Sequence, residues 1–127
     1  MRIQLIVLAT LLGSCVASAP LYYPPGQSSD LVGRVAGTPQ RCVPIERDYA
    51  MRPASGDPTL LVYGLGKKIY VNRLSPGCHF TQDLVLMPDS FGSSYCQNDV
   101  VRSIEASSRF PGPSCILNEW VPYTRVP

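Results

Sequence analysis

Histidine is almost missing: His79 is the only one in the 127-residue chain. One imidazole is thin material for acid–base chemistry. A Ser-His-Asp site would have to be built on this residue, beside Cys78 and without a Gly-x-Ser-x-Gly turn to present the serine. No Gly-x4-Gly-Lys-Ser/Thr phosphate loop occurs, and Gly64 and Gly66 are accounted for by a turn. Charge is scarce, at 16% of residues with a net +2, and the longest basic run is Lys67-Lys68. A nucleic-acid binder needs a basic stripe, so that class is set aside. No apolar run reaches the about 18 residues of a membrane span. The cysteines lack close pairs: Cys42, Cys78, Cys96 and Cys115 are separated by 36, 18 and 19 positions. Zinc ligands come as C-x2–4-C and redox thiols as C-x-x-C, so neither a metal nor another cofactor is expected.

Proline and glycine, by contrast, are plentiful, at 13 and 10 residues. They exclude long helices and favour short strands joined by turns.

Residues 1–19 have the order of an export signal. Arg2 supplies a positive start. Ile3 to Leu12 is apolar apart from Gln4 and Thr10, and small residues follow at Gly13, Ser14, Ala17, Ser18 and Ala19. Two processing routes fit. Leu12-Gly13-Ser14-Cys15 has the form of a bacterial lipobox, whose cysteine becomes lipidated. Ordinary cleavage after Ala17 or Ala19 satisfies the small-x-small rule, although Pro20 directly after Ala19 is a poor start. Either route removes Cys15 from pairing and leaves four cysteines. The expected location is exported: periplasmic, or held to a membrane only through a lipid anchor at Cys15.

Residues 20–40 read as a flexible Pro/Gly/Ser linker. Leu21-Tyr22-Tyr23-Pro24-Pro25-Gly26 has no period of 2 or 3.6; Tyr22 and Tyr23 are either a recognition motif or inert. Residues 41–122 read as one β domain and 123–127 as a tail. Val43, Ile45, Tyr49 and Met51 share one face of a period-2 pattern, spoiled by Arg47. Residues 53–58 make a turn by composition, Thr59 to Tyr63 is a strand apolar on both faces, and Gly64 to Lys67 is a hairpin turn. Lys68 to Leu74 and Asp99 to Ile104 are strands, Thr81 to Met87 is a strand or a helical turn, and Cys115 to Val121 is a last strand closed by Pro122. The fold class is therefore mostly β: a small antiparallel sheet, meander or partly open barrel of four to five strands, stapled by two disulfides.

Export implies an oxidising compartment, where the four cysteines pair. If the first three strands form a meander, Cys42 and Cys115 meet at one end of the domain and Cys78 and Cys96 at the other. The expected bonds are thus Cys42–Cys115 and Cys78–Cys96.

Tyr63, Tyr70, Phe80 and Trp120 either line a binding face for a protein or a sugar or anchor a small core. Carboxylate pairs, such as Asp83 with Asp89 or Asp99, supply the raw material of a minimal enzyme, but no catalytic constellation is assembled around them.

One ordered set of residues carries a resemblance. Arg41-Cys42-Val43-Pro44 is followed by Thr59-Leu60-Leu61, then Tyr70-x-Asn72-x-Leu74 with Cys78. Next come Tyr95-Cys96-x-x-Asp99 and Cys115-Ile116-Leu117 with Trp120-Val121-Pro122. Over residues 41 to about 122 this resembles an uncharacterised, domain-of-unknown-function family of small exported bacterial proteins, many with lipobox leaders. It departs at His79-Phe80, where such proteins often have Gly-Leu, and at Leu117-Asn118, where they often have Leu-Gly. The resemblance implies export and fold and brings no activity with it.

The functional expectation is a cell-envelope protein that is a non-enzymatic binding or structural module, its partner another envelope or secreted protein. The alternatives are a small inhibitor of a secreted hydrolase and a minimal enzyme using a carboxylate pair.

Overall fold

The computed structural model describes residues 28–127. The leader, Cys15 and the first part of the linker lie outside the described residues. After a 3-10 turn at Ser29–Leu31 come β1 (Arg34–Ala36), β2 (Cys42–Pro44), β3 (Met51–Ala54), β4 (Asp57–Tyr63) and β5 (Lys68–Arg73). β6 (Leu84–Pro88), β7 (Ser94–Cys96), β8 (Val100–Glu105), β9 (Cys115–Ile116) and β10 (Trp120–Arg125) follow. They form a five-stranded sheet in the order β1-β10-β5-β4-β3, a two-stranded ribbon β2-β7 and a three-stranded sheet β6-β8-β9. All pairings are antiparallel, and the mostly β class stapled by two disulfides is as expected.

The main sheet grows from two hairpins. β4 turns into β5 through Gly64 and Gly66, whose φ values of 106° and 79° are open to glycine at no steric cost. β3 turns into β4 through Ser55 and Gly56, so the expected turn over 53–58 shrinks to its two central residues. Pro53 fits because β3 is an edge strand, where a missing N–H leaves no ladder bond unmade. The predicted strand from Val43 to Met51 is split into β2 and β3. The backbone turns back between them, with Tyr49 N–H donating to the Glu46 carbonyl.

Both faces of the main sheet are covered, which explains the unbroken apolar run in β4. Leu61, Tyr63, Leu74 and Trp120 face the two smaller sheets and meet Val43, Phe80, Val101, Cys115 and Leu117. Leu60, Val62, Ile69 and Val71 form a second cluster on the other face, with Leu31 and Tyr123 against it. Leu31 is delivered there by residues expected to be linker. Ser28 Oγ donates to the Ser55 carbonyl at 2.6 Å, and the Asp30 carboxylate accepts from the two terminal Arg52 guanidinium nitrogens at 2.8 and 3.1 Å and from Ser55 N–H at 2.8 Å. The chain then crosses to the far edge and pairs with β10 as β1. From Ser28 onward the expected linker is thus a bound strap. Its anchors are polar side chains and a three-residue strand, too short to show a period.

The last strand also corrects expectation. Cys115 to Val121 is two strands, β9 and β10, and β10 continues through Pro122 to Arg125, into the expected tail. Pro122 is tolerated because its side of the ladder faces Gly37, just beyond the end of β1. Its carbonyl accepts from Gly37 N–H at 2.7 Å, and only the reverse bond is lost.

The disulfides are Cys42–Cys96 and Cys78–Cys115, not Cys42–Cys115 and Cys78–Cys96. The assumed meander put Cys42 in the main sheet. It opens the separate ribbon instead, directly opposite Cys96 in β7, a strand whose three residues carry no legible pattern.

Candidate functional site

The binding face expected from the aromatics is mostly interior. Phe80 and Trp120 are fully buried, and Tyr63 is 1% exposed. Trp120 is the core anchor, its indole N–H donating to the Tyr95 carbonyl at 3.1 Å. Only Tyr70 is half-buried, and it marks one wall of a cleft of about 180 Å³ lined by Pro44, Glu46, Tyr49, Tyr63, Lys68 and Tyr70.

The cleft forms where the ribbon meets the β4–β5 hairpin. Tyr63 and Tyr70 are directly opposed cross-strand neighbours, so their rings share a face of the sheet. β2 leads into the turn at 46–49, which swings Tyr49 over the ring of Tyr63 at 5.8 Å and 86°. Tyr63 is the post that holds this wall. Its hydroxyl accepts from Glu46 N–H at 2.6 Å, and its ring is edge-on to Tyr95 at 5.3 Å. Burial pushes the Tyr95 phenol above its ordinary pKa, and neighbouring Tyr63 adds to the shift. On the outer side Lys68 Nζ lies 5.3 Å from the Tyr70 ring centroid, within cation–π range. Tyr49 is 38% exposed. The period-2 pattern puts it on the apolar face of a strand, whereas it lies in the turn between β2 and β3. The cleft therefore offers two aromatic surfaces, a carboxylate at Glu46 and an ammonium at Lys68. It is equipped for contact and orientation.

Asp83, Asp89 and Asp99 each have a partner within the fold. Asp99 Oδ2 accepts from Cys96 N–H at 2.7 Å, and Asp99 N–H donates to the Cys96 carbonyl at 3.1 Å. Asn98 sits between them in the left-handed region at φ 77°. The Cys-x-x-Asp element is thus a self-bonded turn from β7 into β8. Asp89 is paired with Arg102 at 3.0 Å, and Asp83 accepts from the Thr81 hydroxyl. His79 is an exposed loop residue. Among the described residues no group of three or more His, Cys, Asp or Glu side chains converges as metal ligands do.

The Tyr-x-Asn-x-Leu element divides its work. Tyr70 walls the cleft and Leu74 is core, while Asn72, fully buried, is a tie. Its Nδ2 donates to the Asn118 carbonyl at 2.8 Å and its Oδ1 accepts from Asn118 N–H at 2.9 Å, fixing the link between β9 and β10 onto β5. No family model, curated protein or solved structure matches the chain.

Proposed function

We propose that the chain is an exported, non-enzymatic binding module of the bacterial cell envelope that contacts another envelope or secreted protein through the cleft between Tyr49 and Tyr70. The observation that carries this reading is the rigid presentation of those two rings. Tyr49 is held edge-on by buried Tyr63, whose hydroxyl bonds the same turn, so the wall loses little freedom when a partner docks. Tyrosines on a firm support dominate many protein contact surfaces. Glu46 and Lys68 on the rim add charges of both signs, which favours a polypeptide partner over a membrane or a nucleic acid.

Two disulfides suit an oxidising compartment, and the order of residues 1–19 supplies the route there. Lipidation of Cys15 would make the protein a surface-tethered lipoprotein. Engagement of Asp83, Asp89 and Asp99 in the fold supports binding over catalysis. The resemblance to the domain-of-unknown-function family agrees with export and adds no activity.

Affinity capture from an envelope extract tests the reading, with wild type run beside a Tyr49→Ala/Lys68→Glu variant. Lys68 is exposed and Tyr49 is 38% exposed with one edge contact to Tyr63, so the variant should lose about 1–2 kcal/mol and stay folded, which its circular dichroism checks. Proteins enriched by wild type and lost from the variant are the expected result. An identical enriched set from both, or no enrichment by either, rejects the cleft as the contact site.

A further inference from the structure

The two disulfides sit in different surroundings, and the difference is chemical. Cys42 is exposed and Cys96 half-buried, in the two-stranded ribbon where they are directly opposed. In the other bond Cys115 is 2% exposed and belongs to the main apolar cluster.

We propose that Cys42–Cys96 is a thiol-exchange site, opened by an external dithiol while Cys78–Cys115 stays closed and the domain stays folded. A dithiol thiolate attacks Cys42 Sγ. The S–S bond breaks and its electron pair leaves on Cys96 Sγ. The second dithiol thiolate then displaces Cys42 Sγ, so the reductant ends as a disulfide and two protons complete the two protein thiols. Access and the leaving group decide which bond reacts. Cys42 is an exposed residue that a thiolate can approach, and the departing thiolate of Cys96 forms at a half-buried residue outside the apolar cluster. Attack at Cys78 would instead expel a thiolate from Cys115 into the apolar core, where the charge has no solvation and the sulfur is a poor leaving group.

The ribbon does not fall away once the bond opens. Val43 is fully buried, and Ile45 N–H to Ser93 O and Gln97 N–H to Arg41 O continue the ladder past both ends. What is released is the covalent tie on the strand that carries Pro44 and Glu46 to the cleft. The exchange chemistry does not depend on what the cleft binds.

Graded reduction of the full native chain with dithiothreitol tests this, followed by acid quench, alkylation and peptide mapping. Cys42 and Cys96 should be alkylated at least about tenfold faster than Cys78 and Cys115. The far-UV circular dichroism should be unchanged at that stage. Opening of Cys78–Cys115 first, or of both bonds together with loss of the spectrum, would overturn the proposal. A Cys42→Ser/Cys96→Ser variant supplies a second readout: it should fold, and its remaining bond should resist the same dithiol dose. Reduction of that bond at the dose that opens the wild-type ribbon also counts against selectivity.

Discussion

Asp30 shows how much one side chain in the strap does. The Arg52 guanidinium beside it, together with Ser55 N–H and Ser28, outweighs the cost of its burial and holds its carboxyl at about 2, below the ordinary 3.8. A depressed carboxyl stabilises the fold above its unfolded pKa, and that stability is lost as pH falls through the folded value. The window is therefore about pH 4 down to about 2. Because solvent reaches Arg52, the contribution is discounted to about 1 kcal/mol. Asp30→Asn should lower stability by that amount at pH 7, and the two proteins should converge in urea titrations as pH falls across the window. A gap that stays constant from pH 7 to 2 would show that the charge is not what holds the strap. None of this is legible in Ser28-Ser29-Asp30, whose partner Arg52 lies 22 positions away in β3. The same holds for Tyr49, which only the turn after β2 brings onto Tyr63.

At the scale of elements, the β4–β5 hairpin was readable because its pattern is local: apolar strands around Gly64 and Gly66, with Ile69 and Val71 buried as the alternation demands. β1 and β7 were not, since strands of three residues are too short to carry a period, and the break that separates β9 from β10 inside the expected last strand left no mark either. Pro122 read as a stop because proline usually ends a central strand, and the exception depends on Gly37, more than eighty positions away in the chain. Asn72 likewise looks from the sequence like a surface residue in an alternating strand. Its side chain bonds both backbone groups of Asn118, so Asn72→Ala should cost about 2 kcal/mol. Asn118→Ala keeps that backbone pair and should cost less than about 1 kcal/mol. Urea unfolding of the two variants checks the order; equal losses would mean that the pair is not the tie between β5 and the β9–β10 link.

For the whole molecule, three small sheets share one core, and the disulfides govern how firmly they are joined. The bonds close loops of 54 and 37 positions, so chain entropy assigns each about 4 kcal/mol. A domain of this size has about 5–15 kcal/mol in total. Serine replacement of either pair alone should therefore leave a folded protein with a lowered urea midpoint. Replacement of both pairs should populate the unfolded chain at 25 °C. That four cysteines pair was legible from the export signal, which implies an oxidising compartment and takes Cys15 out of the count of five. Which ones pair was not, because that depends on Cys42 leaving the main sheet for a ribbon. The position of the ribbon, and with it the Pro44–Glu46 wall of the cleft, rests on this connectivity. Peptide mapping of the unreduced protein after proteolysis at acid pH measures it directly. Linked fragments Cys42–Cys96 and Cys78–Cys115 are the expected result; Cys42–Cys115 with Cys78–Cys96 would contradict the arrangement of the sheets and the cleft built on it.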